Sequence, residues 1–206
     1  MRKIFNAFTL AEVLITLVII GIIAAITVPT IMIKKDKEQT CTKLKKFYST
    51  MTSAIMLYKN AEGITNGKLD FPEEIVNNGE QGMKWYQKTI GKYISSTLVK
   101  QSDNEHWQVF LNDGSSFVAY SNGIERIHIF YCTKPSCSKE DFQEEYDGKR
   151  TFLFTLYNSG TFVTSYGGKT IFPREDLLNK CKNTEKQYCT KLIQVDGWQI
   201  KDDYPW

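Results

Sequence analysis

The chain has 206 residues, 26 of them Lys or Arg and 23 Asp or Glu, for a net charge of +3, and 13% of residues are aromatic. A balance this close to neutral offers no broad basic surface for nucleic acid. No low-complexity segment, internal repeat or long charge run is present, and a single apolar run leaves about 170 residues outside it, enough for one domain.

That run is residues 8–33, FTLAEVLITLVIIGIIAAITVPTIMI, and from Val13 to Ile33 it carries no charge. Roughly 20 apolar residues at 1.5 Å each cover the ~30 Å hydrocarbon core of a bilayer, so a membrane helix is predicted. Glu12 sits at its apolar edge, where a carboxylate is costly in lipid and therefore a functional candidate. Gly21 and Pro29 lie inside the span; Pro29 lacks an N–H and crowds the preceding turn, which predicts a kink or local loosening. A secretory signal would end in a small-x-small cleavage site, which Ala24-Ala25-Ile26 does not supply. A lipoprotein signal needs a Cys directly after the run, and Cys41 lies too far on. Counting positive charge does not orient the span, because Arg2 and Lys3 precede it while Lys34, Lys35 and Lys37 follow it.

The order of residues before the span is more specific. Met1-Arg2-Lys3-Ile4-Phe5-Asn6-Ala7 is a short basic leader ending in a small residue, and Phe8-Thr9-Leu10-Ala11-Glu12 follows it directly. This arrangement resembles the class III signal of type IV prepilins and of the pseudopilins of type II secretion. The resemblance implies that a membrane prepilin peptidase cuts between Ala7 and Phe8 on the cytoplasmic side and N-methylates Phe8. It makes Glu12 the family's acidic assembly residue, paired with the new Phe8 amine of a neighbouring subunit. Gly21 and Pro29 fall where the family's helix bends or melts in filaments. The family usually has Gly where this chain has Ala7, and slower or unchanged processing is expected from so small a residue. The resemblance also orients the chain: leader in the cytoplasm, head in the periplasm or outside the cell, anchored in the inner membrane until assembly. The partners it implies are the peptidase, other pilin or pseudopilin subunits, the inner-membrane assembly platform and membrane lipid.

Beyond the span, Leu44, Phe47, Tyr48, Met51, Ile55 and Tyr58 recur at spacings of three and four. That is an amphipathic stripe, and with no Gly or Pro over 30–62 one long helix is predicted, stopping at Gly63. Residues 63–100 read as a connecting region with short helices. One begins near Asp70-Phe71-Pro72-Glu73-Glu74, and a second carries Trp85, Tyr86, Ile90, Tyr93 and Ile94 on one face. From about residue 106 the period becomes two. His106–Leu111 and Ser116–Tyr120 flank Asn112-Asp113-Gly114 as a hairpin, and Ile124–Tyr131 is a third strand with Ile127 and Ile129 alternating against His128 and Phe130. Thr151–Tyr157, Asn158-Ser159-Gly160 and Thr161–Tyr166 form a second hairpin. Four or five antiparallel strands after a long helix give an α+β fold, one sheet face packed on the stripe; pilin-like is what the resemblance adds. The predicted divisions are leader 1–7, membrane and assembly half of the helix 8–33, amphipathic half 34–62, and head 63–206. The tail, with Trp198, Tyr204 and Trp206, is expected to dock on the head.

Five cysteines remain to be placed. Outside the cytoplasm the simplest arrangement is local, Cys132 with Cys137 and Cys181 with Cys189, the latter similar to the C-terminal disulfide loop of many pilins. Another pairing, or a zinc site built from these four, competes, although the spacings are loose for a zinc ribbon. Cys41 lies on the flank of the helix stripe and reads as a free thiol. Gly167-Gly168-Lys169-Thr170 is not a phosphate loop: Val163 stands where a Gly is required, and Ile171-Phe172-Pro173 follows in place of a helix. His106 and His128 have no nucleophile or metal motif around them and read as strand residues. The acidic pairs Glu140-Asp141, Glu144-Glu145 and Asp202-Asp203 read as solvated surface. No cofactor, metal or reaction of its own is expected. The reading is a structural subunit of a type II secretion pseudopilus or type IV pilus; the alternative is a periplasmic binding or sensor domain on an uncleaved span.

Overall fold

A computed structural model describes residues 9–135, 147–164, 171–183 and 185–206. The chain divides into two units, Met1–Gln39 and Thr40–Trp206. The first contains the start of helix α1, which runs from Leu10 to Ala61 without a break at Gly21 or Pro29. Inside this unit, Thr27 and Thr30 turn their hydroxyls onto the carbonyls of Ile23 and Ile26, satisfying polar groups within the helix itself as an apolar setting requires.

In the second unit, α1 ends as its sequence predicts. Gly63 adopts φ +63°; the Ile64 N–H then donates to Lys59 O and the Gly63 N–H to Asn60 O, the paired bonds of a Schellman stop. The stripe is also as predicted: Leu44, Phe47, Met51 and Ile55 are buried, joined by Thr40, Cys41 and Ala54, with Tyr48 and Tyr58 packed at the margin.

The connecting region holds a 3-10 turn, Glu73–Ile75, and helix α2, Gly79–Lys88, whose first turn is capped by Asn78 accepting from the Gln81 N–H. The second short helix expected here is interrupted. At Thr89 both the amide and the hydroxyl fold back onto Trp85 O and Tyr86 O, and a separate 3-10 turn, Ile90–Tyr93, follows. Strand β1, Ser96–Gln101, was not expected; the sequence reads as connecting chain there because this edge strand buries neither face fully and so shows no alternation. Gly82 on α2 lies directly on the Trp107 indole, and a Cβ there would fall 2.3 Å from the ring. Gly82→Ala is therefore expected to destabilise the head by about 1–3 kcal/mol through overpacking, read as a lower midpoint in urea; an unchanged midpoint would show that α2 shifts freely.

Strands β2 (Trp107–Leu111), β3 (Ser116–Tyr120), β4 (Arg126–Cys132), β5 (Thr151–Tyr157) and β6 (Phe162–Val163) complete one antiparallel sheet. Among the described residues six strands lie in sequence order, where four or five were expected. Register places Trp107, Ala119, Ile129 and Phe154 in one cross-strand row and Val109, Phe117, Tyr131 and Phe152 in the next. This face meets α1: the Phe47 ring lies 4.3 Å from Tyr131, 5.1 Å from Phe154 and 5.5 Å from Phe117. The opposite row of β4, expected to alternate against Ile127 and Ile129, is buried as well, at His128 and Phe130. Alternation identified the row facing the helix but not the environment of the other.

The last segment contains helix α3 (Arg174–Lys182), a 3-10 turn (Lys186–Tyr188) and helix α4 (Cys189–Val195). The tail docks as expected: Tyr204 is buried and donates its hydroxyl to Gly148 O, and Trp198 packs at a tilt against Tyr48 with ring centroids 5.4 Å apart.

Candidate functional site

The N-terminal end of α1 is the candidate site. Thr9 precedes the helix, and its N–H and hydroxyl both donate to Glu12 Oε2 at 2.8 Å, while the Glu12 N–H donates back to Thr9 Oγ1 at 3.3 Å. This is a capping box, in which two otherwise unpaired helix-end donors are satisfied reciprocally. Besides being a costly charge in lipid and the expected assembly residue, Glu12 closes the helix end, and the Thr9-x-x-Glu12 spacing spells that box in the sequence. Ala7 and Phe8, the expected cleavage pair, lie outside the described residues.

From Thr9 to Asp36 every residue is exposed, including Leu14, Leu17, Ile20, Ile23, Ile26 and Ile31. A Cβ at Gly21 would meet no atom within 4 Å. An apolar surface of this extent needs lipid or other apolar helices around it, and α1 is long and apolar enough to cross a membrane.

The cysteines separate into distinct states. Cys181 and Cys189 form a disulfide with their Cα atoms 4.9 Å apart, which excludes the competing zinc site because it needed all four thiolates. Cys132 is also disulfide-bonded; its expected partner, Cys137, lies outside the described residues. Cys41 is a buried free thiol. Of the acidic pairs, Glu140-Asp141 and Glu144-Glu145 fall outside the described residues. Asp203 is not simply solvated surface, since Arg174 grips it.

Both histidines border Tyr120, with ring centroids 5.0 Å (His106) and 5.1 Å (His128) away. His106 precedes β2 and shares a 2.8 Å Nδ1···Oδ1 hydrogen bond with Asp103. Burial opposes the Asp103 charge, but hydrogen bonds from the His106 ring and from the Glu105 and His106 amides prevail and hold the carboxyl at about 2. His128 lies within β4, where burial and, secondarily, Arg126 push its pKa down to about 4 from 6.5. The unfolded chain thus binds this proton more readily. The stability His128 protects is complete above about pH 6.5 and is lost as pH falls from there through about 4, costing about 3 kcal/mol in all. Melting curves at pH 7 and pH 4.5 are expected to show a smaller drop for His128→Gln than for wild type; equal drops would assign the acid sensitivity elsewhere.

Comparison with known proteins adds two findings. The prokaryotic N-terminal methylation motif matches residues 2–28, and a family of unknown function (DUF6613) matches residues 30–206. No curated protein and no solved structure matched the chain. The motif and the apolar helix describe a membrane-anchored chain with a processing-type N-terminus, followed by an α+β head of pilin-like architecture.

Proposed function

We infer that this chain, which belongs to the family of unknown function DUF6613, is a prepilin-like structural subunit of a type II secretion pseudopilus or type IV pilus. The observation that carries the reading is the methylation motif over residues 2–28, set on a helix whose apolar residues are exposed from Leu10 to Ile33 among the described residues. A leader cut before Phe8 would free an amine at the helix start, beside the Thr9–Glu12 box, and leave the span ready to pass from lipid into a bundle of like helices. The head then lies outside the cytoplasm, where Cys181–Cys189 persists. Catalysis has no part in this reading; the chain is a substrate of the peptidase, and its work is packing.

Mass spectrometry of the N-terminal peptide from protein isolated from its own cells tests the inference. A chain beginning at N-methyl-Phe8 is the expected result. A chain retaining Met1, in cells whose peptidase processes other substrates, would overturn it and leave an uncleaved anchor whose function resides in the head.

A further inference from the structure

The C-terminal segment is fastened at points that converge on one disulfide. Helices α3 and α4 form a hairpin tied at its turn by Cys181–Cys189, with both residues buried. At its open end, Arg174 on α3 makes two bonds to Asp196, at the close of α4, and two more to Asp203 in the tail. Lys201 adds a further bond to Asp196 at 2.7 Å. The tail's second anchor is the Tyr204 hydroxyl on Gly148 O, and Gly148 lies against the same disulfide: a Cβ there would stand 2.8 Å from Cys189 Sγ. Between these anchors, Ile200 packs on the core that holds the buried Cys41 thiol; burial pushes the thiol's pKa up and outweighs the Ile200 backbone N–H, which draws it down.

We propose that residues 196–206 form a redox-conditioned strap, which closes over Cys41 when Cys181 and Cys189 are joined and releases it when they are not. The disulfide fixes α3 so that Arg174 can hold both carboxylates, and it backs the loop that accepts from Tyr204. Without it, α3 can shift and carry Arg174 off Asp196, and the exposed Arg174–Asp203 pair, with side chains 29% and 42% accessible, adds little hold of its own. Closed, the strap keeps Cys41 neutral and unreactive; open, the thiol reaches water, ionises more readily and becomes reactive beside the two thiols that reduction creates. The switch itself is chemical: a dithiol such as dithiothreitol gives two electrons to the Cys181–Cys189 bond, leaving two thiols and its own cyclic disulfide. The cellular setting rests on the extracytoplasmic placement proposed above. The strap does not, and an unprocessed chain with a working strap would separate the two.

The test is the rate of Cys41 alkylation by N-ethylmaleimide in the full-length protein in detergent micelles, located by peptide mass spectrometry. Cys181→Ser/Cys189→Ser, which leaves the Cys132 bond untouched, is expected to label Cys41 at least ~10-fold faster than oxidised wild type. Arg174→Gln, with the disulfide intact, is expected to label at least ~3-fold faster. Protection equal to wild type in the double variant would overturn the proposal, as would equal protection in Arg174→Gln. Should the double variant lack a cooperative melting transition, wild type treated with stepwise dithiothreitol and then freed of reductant decides. Labelling that follows scission of Cys181–Cys189 and precedes loss of the transition supports the strap; labelling only with global unfolding overturns it.

Discussion

Glu12→Ala is expected to leave the precursor cleaved and N-methylated at Phe8 and to cut filament or pseudopilus yield by at least ~10-fold, because in the proposed filament it would leave the Phe8 amine buried without a counter-charge, at a cost of about 3–5 kcal/mol. Two separate properties of Glu12 are lost in that variant. One is local: its carboxylate completes the box with Thr9, and losing such a cap costs about 0.5–2 kcal/mol of helix stability. The other is its charge, which in a packed bundle of apolar helices must meet a cation. On the proposed function, the amine freed at Phe8 of a neighbouring subunit would be that cation, and the desolvation penalty of any mismatch would favour one axial stagger. Two further variants separate the properties. Glu12→Gln retains a side chain able to cap but has no charge, and is expected to assemble as poorly as Glu12→Ala. Thr9→Ala keeps the charge and loses the box, and is expected to assemble at reduced but measurable yield. Sheared-filament yield, with N-terminal mass spectrometry to confirm processing, reads all three. Wild-type yield from Glu12→Gln would remove the charge from the assembly argument and leave only the cap.

What could be read in the sequence was whatever repeats at short range. The α1 stripe, the stop at Gly63, the hairpin across Asn112–Gly114 and the local Cys181–Cys189 pair all follow from spacings of a few residues, and all are present. The pattern failed where burial is partial or contacts are distant. Strand β1 is exposed along most of its length, so no period marks it. The helix expected through Tyr93 stops at Thr89 because that side chain and its amide bond the preceding turn, a local competition that apolar spacing does not register. Arg174 finds its carboxylates 22 and 29 residues away, and nothing in a linear pattern pairs them. At the candidate site the motif around Phe8 was plain, while the partnership of Thr9 with Glu12 was overlooked because the carboxylate was weighed against lipid and filament assembly, not against the helix end it closes.

Phe47→Ala is expected to be the most damaging single change in the head, costing about 3–5 kcal/mol. The ring is buried and lies within 6.1 Å, centroid to centroid, of Phe117, Tyr131, Phe154 and Phe162. Strands β3, β4, β5 and β6 thus meet the helix through one side chain. Truncation leaves a void that four aromatic rings cannot close without abandoning their rotamers, so the cavity adds to the lost transfer free energy. Tyr48, one residue on, is the control. It is half-buried, and its ring pairs with Phe162 and Trp198 at the margin of the core; Tyr48→Ala is expected to cost about 1–2 kcal/mol. Against a total stability of 5–15 kcal/mol, the first change endangers the head and the second does not. At ~2–4 °C per kcal/mol for a unit of this size, Phe47→Ala should lower Tm by roughly 6–20 °C, measured on the detergent-solubilised chain. A Tm within ~2 °C of wild type would mean the sheet repacks on α1 without this ring. Processing supplies the complementary measurement. The motif ends at residue 28, well before Phe47, so the peptidase should cleave Phe47→Ala normally while cellular proteases remove its head. Cleavage reads the first residues of the helix; survival of the cleaved subunit reads the packing of residue 47.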